Sequence, residues 1–216
     1  MLWLGVALSI ALAIWFASRG PRVGLYIFKP LATLSILAVA VGALPGEPAV
    51  YGALVVGGLV LSLAGDVALI FDGERWFLAG LVAFLAAHLC YVAAFLTRAH
   101  AAGVDEWVLP ALAAALVGLY AAAVYATLRP KLGAMRVPAF VYMIALGAMA
   151  WAAALAWSAD PSPATRYALG GAALFLASDT LLAVDRFRRP LPAAQLLILS
   201  TYYAAQWLIA VSVGPG

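Results

Sequence analysis

An all-α membrane protein, built as a compact bundle of eight transmembrane helices, is the fold this sequence predicts. Three observations carry that expectation. Of 216 residues, 67% are hydrophobic and only 10% charged, whereas soluble domains run nearer half apolar and a quarter charged. The mean hydropathy is +1.07. The apolar residues also gather into runs near the roughly 20 residues that cross about 30 Å of hydrocarbon. A soluble enzyme, a disordered chain and a nucleic-acid-binding domain are excluded, because a water-soluble fold of this size could not hide so much apolar surface. The net charge of +3 is small, and the bases stand in short clusters between apolar runs, as topology signals do. One cysteine, Cys90, and two histidines, His88 and His100, are too few for an internal disulfide, a thiolate metal cluster or a three-histidine zinc site. No metal and no cofactor is expected.

The spans fall at about 2–17, 25–44, 50–70, 76–97, 107–128, 137–157, 165–184 and 191–213. The first lacks the basic start of a signal peptide, and Ala17-Ser18-Arg19 is a poor cleavage site, so it reads as a helix. Breakers separate the runs at Arg19-Gly20-Pro21-Arg22, Pro45-Gly46-Glu47-Pro48, Asp72-Gly73-Glu74, Arg129-Pro130 and Asp160-Pro161-Ser162-Pro163. The connections leave no room for a domain outside the membrane, so residues 1–216 are expected to form a single transmembrane domain.

Basic residues orient the bundle. Loops 1–2, 3–4, 5–6 and 7–8 carry Arg19, Arg22, Arg75, Arg129, Lys131, Arg136, Arg186, Arg188 and Arg189, against Arg98 and Arg166 on the other side. The positive-inside rule then puts both termini outside. The short chain, rich in Ala, Gly and Arg, suggests a bacterial plasma membrane. A weak repeat is also visible. Leu63-Ala64-Gly65-Asp66 with Leu69 and Asp72 matches Leu176-Ala177-Ser178-Asp179 with Leu182 and Asp185 at an offset of 113 residues. That offset is four helices, an even number, as in a parallel 4+4 repeat about an axis along the membrane normal.

Charged groups inside spans cost about 2.5–3.5 kcal/mol on insertion scales and are functional candidates by default. Lys29, Asp66 and Asp179 qualify, each one or two turns from the cytoplasmic end of its helix, and His88 lies near mid-membrane. Helical spacing puts Tyr26, Lys29 and Thr33 on one face, His88 and Tyr91 on another, and Gln195, Tyr202 and Gln206 on a third. Gly58, Ser62 and Asp66 make a small-residue face suited to close helix approach. Each has a plainer reading. Lys29 can snorkel to head groups, although Pro30 disfavours helical geometry at Lys29 and can turn the amine inward. His88 can be a hydrogen-bonded core histidine, and Tyr91, Tyr202 and Tyr203 packing aromatics. Asp72 and Asp185 read as solvated loop acids. Asp66 and Asp179 can be structural ion-pair members with Lys29 or Arg186, or an acid/base pair. The acid/base pair is the more natural reading of two intramembrane carboxylates without metal ligands nearby.

These residues, in order, resemble the YhhN-like family of integral membrane lysoplasmalogenases. The resemblance is carried by Lys29-Pro30, by Ser62 through Asp66, by Gly80 through Phe84 with His88 and Tyr91, by Phe175-Leu176-Ala177-Ser178-Asp179, and by Thr201-Tyr202-Tyr203-Ala204-Ala205-Gln206. It implies an eight-helix hydrolase that cleaves the vinyl ether bond of a lysoplasmalogen, a lysophospholipid drawn from the membrane. The products would be a fatty aldehyde and glycerophosphoethanolamine or glycerophosphocholine. The resemblance makes Asp66 and Asp179 the central acids. Lys29, His88, Tyr91, Ser178, Tyr202, Tyr203 and Gln206 would position substrate or water.

The chemistry suits the residues independently. A vinyl ether hydrolyses when its terminal alkene carbon takes a proton and water captures the oxocarbenium ion. One carboxyl must give the proton and one carboxylate must support the cation, as in glycosidases. An intramembrane aspartyl protease would also use two aspartates, but that family carries Gly-x-Gly-Asp where this chain has Leu63-Ala64-Gly65-Asp66. A proton-coupled small-solute transporter is the main alternative, since it too wants paired acids, a parallel repeat and a kinked helix. A structural or regulatory membrane protein with ion-paired acids is the third.

Overall fold

The computed structural model describes residues 2–46 and 49–214; Glu47 and Pro48 of the second breaker lie outside the described residues. The chain forms α1 (Leu2–Ser18), α2 (Arg22–Ala43), α3 (Ala49–Ala68), α4 (Glu74–Ala102), α5 (Val108–Leu128), α6 (Arg136–Ala159), α7 (Pro163–Phe187) and α8 (Ala194–Val211). Single 3-10 turns sit at Leu44–Gly46, Arg129–Lys131 and Gly133–Met135. Each helix lies on an expected apolar run, and there is no strand among the described residues.

Seven helices are long and apolar enough to cross a membrane. With its apolar surface this makes the chain a multi-pass membrane protein. At 17 residues α1 is shorter, about 26 Å at 1.5 Å per residue. The expected eight spans are therefore seven of full length and one short apolar helix. The helix ends follow local chemistry. Ser162 caps α7 in a box with Thr165, and Pro163 occupies the first turn where its missing N–H is harmless. Gly103, at φ 81°, stops α4 in a conformation that side chains with a Cβ avoid. α2 continues through Pro30, which leaves the carbonyl of Tyr26 without its usual amide donor.

Packing is most extensive between α3 and α4 and between α7 and α8, with α4 also against α6 and α2 against α3 and α8. The small-residue face of α3 explains the first contact. A Cβ on Gly58 would lie 2.3 Å from the Tyr91 ring, and one on Gly65 2.6 Å from Phe84. α5 stands at the edge with only Pro110 and Leu128 buried. It is apolar all round because lipid, not protein, covers most of it.

Candidate active site

Buried Lys29, Thr33, Asp66, His88, Ser178 and Gln206 gather between α2, α3, α4, α7 and α8. Asp66, 1% exposed, is held from three sides. Lys29 on α2 places Nζ 3.4 Å from its Oδ1 and donates to its backbone carbonyl at 3.2 Å. Thr33, one turn on, donates to Oδ2 at 2.5 Å, and Tyr202 from α8 donates to the same oxygen at 2.6 Å. Behind Tyr202 the chain of bonds continues. Gln206 Nε2 donates to the Tyr202 hydroxyl at 3.2 Å, and Tyr91 donates to Gln206 Oε1 at 2.8 Å. Tyr203 donates to the carbonyl of Lys29 at 3.3 Å, tying α8 to α2 at the proline.

Asp179 has a different setting. Its Oδ2 accepts from Tyr142 of α6 at 2.5 Å, and His88 Nε2 stands 3.9 Å away, beyond hydrogen-bond range but within reach through one intervening atom. Neither ring nitrogen of fully buried His88 has a hydrogen-bond partner among the described residues. The imidazole is clamped instead between Phe175, with centroids 4.7 Å apart, and Tyr142, 5.2 Å apart. No Lys or Arg pairs with Asp179 among the described residues.

Both aspartates line one cavity of about 280 Å³, together with Lys29, Ser178, Tyr202 and Arg186. It opens at the loops joining α3 to α4 and α7 to α8, where Asp72, Gly73, Asp185 and Gln195 form the rim. A second, narrower cavity of about 70 Å³ runs between α4, α5, α6 and α7. Its walls are mostly Leu, Val, Phe, Ala and Met side chains, with Tyr120, Tyr142 and Thr180 among them, and Asp179 lies on it as well as on the first. Asp66 lies only on the polar one.

Several expectations from the sequence change here. Lys29 does not snorkel; at 7% exposure its ammonium is paired with Asp66, because a desolvated cation needs a partner. The cation at the mouth is Arg186, whose guanidinium sits 4.4 Å over the Phe77 ring. Tyr26 leaves the Lys29 face, is 45% exposed and packs on Phe71. Asp185 is more than a solvated loop acid: its Oδ1 accepts from Leu191 N at 2.8 Å at the entry to α8, where Ala193 takes φ 53°. Ser178 lines the cavity while its hydroxyl donates to the Ile198 carbonyl at 3.0 Å. Tyr91, Tyr203 and Gln206 are buried behind Tyr202, where they support it. Helical spacing gives Thr33 no more than a place on the Lys29 face, and it does not single out Tyr142 at all. For Tyr142 the one signal in the sequence is its interval from Lys29, 113 residues, equal to that between the aspartates.

The YhhN family model matches residues 25–213, which covers every residue of this site. The chain belongs to the YhhN family. Lysoplasmalogenase TMEM86A of Bos taurus is 34% identical over 219 residues, covering 95% of this chain and 85% of its own. The Homo sapiens protein of the same name is 34% identical over 216 residues with the same coverage. An uncharacterized membrane protein YhhN of Escherichia coli O6:H1 is 29% identical over 215 residues, 99% of each chain. No solved structure matches. Within the family, then, the cavity with its two aspartates is the feature a functional reading must explain.

Proposed function

We propose that this chain is a lysoplasmalogenase, a membrane hydrolase that cleaves the vinyl ether bond of lysoplasmalogens to a fatty aldehyde and a glycerophospho-alcohol. Two lysoplasmalogenases similar along nearly the whole chain support the reaction class. The observation that carries the reading is the place of Asp179 at the seam between a polar cavity and an apolar one. A lysolipid has the same division. The first carbons of its alkenyl chain suit the apolar cavity, whose roughly 70 Å³ holds only part of the chain, its glycerophosphate suits the polar one, and the vinyl ether joining them then lies at Asp179.

The mechanism follows from that placement. The alkene carbon that must be protonated belongs to the chain side of the ether, so Asp179 is the general acid. Its proton adds to that carbon, the π electrons form the new C–H bond, and the adjacent carbon and ether oxygen share the positive charge. Asp66, an anion balanced by Lys29 and held by Thr33 and Tyr202, supports that charge from the polar side. Water adds to the oxocarbenium carbon, and its released proton restores Asp179. The hemiacetal then breaks its C–O bond to aldehyde and alcohol, so one water is consumed in the whole reaction. His88 directs a ring nitrogen to the water or ether oxygen beside Asp179, and Arg186 takes the phosphate at the mouth. The mouth lies on the basic side of the bundle, which the positive-inside rule assigns to the cytoplasm. Glycosidases meet an analogous cation with two carboxyls.

Purified protein in detergent, offered a lysoplasmenylethanolamine and its saturated ether analogue, tests the reading. Aldehyde release from the first only, with no ion gradient, is the expected result. A transporter would release none, and equal loss of both lipids would point to cleavage elsewhere in the molecule.

A further inference from the structure

The two aspartates sit in cradles of matching construction. Asp66 on α3 is held by Lys29 from α2 and Tyr202 from α8. Asp179 on α7 is held by Tyr142 from α6 and approached by His88 from α4. Tyr142 follows Lys29 by 113 residues, the interval from Asp66 to Asp179, and Tyr202 follows His88 by 114. Helix pairing keeps the same shift of four elements, α2 on α3 and α6 on α7, α8 on α2 and α4 on α6. Gly58 and Gly171, also 113 apart, both mark close approaches. A Cβ on the first would meet Tyr91 of α4 at 2.3 Å, and on the second Ile209 of α8 at 2.7 Å. Matches of Leu or Ala would mean little in so apolar a chain. These coincidences involve the costly residues and the tight contacts.

We infer that Tyr142 is the counterpart of Lys29 in a duplicated carboxylate cradle, and that this exchange of a cation for a neutral hydroxyl leaves Asp179 holding a proton while Asp66 is a carboxylate. The physical reason is charge balance at two carboxyls that line one cavity. Asp66 with Lys29 is a neutral pair, and its two hydroxyl donors also favour the anion. Asp179, half-buried, accepts from one hydroxyl and has no Lys or Arg paired with it among the described residues, and a charge drawn out of water without a partner is costly. His88, the other titratable side chain facing it from α4, is wedged between two aromatic rings. Tyr142 occupies Oδ2, so the proton belongs on Oδ1, which accepts no hydrogen bond among the described residues. Tyr142 is thus a positioning residue that holds Oδ2 and leaves Oδ1 to carry the proton. The kinetic consequence rests on the two-carboxyl reading above; the protonation pattern does not.

Infrared spectra of the full chain in detergent at neutral pH test the inference through the C=O band of a protonated carboxyl. The expected band is present in the parent protein, absent in Asp179→Asn and retained in Asp66→Asn. Tyr142→Lys, which supplies the missing cation, removes the band and lowers kcat by about a hundredfold or more. Tyr142→Phe keeps the band and costs about tenfold or less in kcat. Lys29→Tyr writes the second cradle's residue into the first and adds a second band. A band that survives Asp179→Asn, a folded Tyr142→Lys with band and kcat unchanged, or a Lys29→Tyr without a second band overturns the inference. If Tyr142→Lys fails to fold, Asp179→Asn and Lys29→Tyr still decide it. The spectra need no substrate, so they report on the cradles even if the parent protein leaves vinyl ethers intact.

Discussion

Lys29 and Asp66 form a desolvated ion pair between neighbouring helices, with Nζ 3.4 Å from Oδ1. Asp179, on the same cavity, has a tyrosine hydroxyl in place of the cation. The two carboxyls therefore differ in what their removal leaves behind.

Stability separates them first. Asp66→Asn strands the Lys29 ammonium and should destabilise the bundle by about 3–5 kcal/mol, with Asp66→Asn/Lys29→Met recovering most of the loss. Asp179→Asn keeps an acceptor for Tyr142 and should cost about 1 kcal/mol or less. Thermal unfolding in detergent checks both. Equal destabilisation by the two asparagine variants would contradict the different partners of these side chains.

Activity separates them less. Asp179→Asn removes the proposed proton donor, and kcat for vinyl ether cleavage should fall about 10²–10⁴-fold. Lysolipid binding should persist, because the remaining cavity walls are intact. Aldehyde release and equilibrium binding of the saturated ether analogue are the two measurements. A variant that keeps its kcat removes Asp179 from the chemistry.

The bond chain behind Asp66 can be cut without touching a charge. Tyr202→Phe removes a donor to Oδ2 and leaves Gln206 Nε2 without its partner. A loss of about 1–3 kcal/mol in stability follows from the orphaned amide, together with a lower kcat. Tyr203→Phe, which loses only a 3.3 Å bond to a backbone carbonyl, should cost less on both counts.

Close approach of α3 and α4 gives a packing test. Gly58→Ala pushes a methyl into the Tyr91 ring and should cost about 1–3 kcal/mol. Gly118→Ala on α5 meets nothing within 4 Å and should be neutral or slightly stabilising. Comparable melting temperatures for the two variants would show that α3 does not need the small residue.

Chain selectivity should follow the apolar cavity. Ala183 lines it, so Ala183→Phe should raise KM for long alkenyl chains more than for short ones, with kcat changing less. A uniform rise across chain lengths would place the alkenyl chain elsewhere.

Much of this is legible in the chain. Apolar runs and their breakers locate every helix, since in lipid each backbone group must be satisfied within its own segment. The same cost of burying charge marks Lys29, Asp66 and Asp179 without any knowledge of their neighbours. Spacing along α3 exposes Gly58, Ser62 and Asp66 as one inner face, and all three are buried. What stays hidden is pairing. Tyr142 is one of nine tyrosines, and nothing local to α6 distinguishes it from a packing aromatic. Asp185 reads as solvated because its partner is a backbone amide six residues on.

That this chain is a membrane-embedded helical bundle, and which few charged side chains it carries into the bilayer, can be read segment by segment, because hydropathy and desolvation are properties of each segment alone. No segment alone says that Lys29 serves Asp66 while Arg186 lines the mouth, that Tyr142 serves Asp179, or that Asp179 stands on both cavities. Those facts depend on the rotation of each helix against its neighbours. Lipid is equally favourable on any apolar face, so it is packing between helices, through contacts such as Gly58 on Tyr91, that selects one rotation and with it the chemistry.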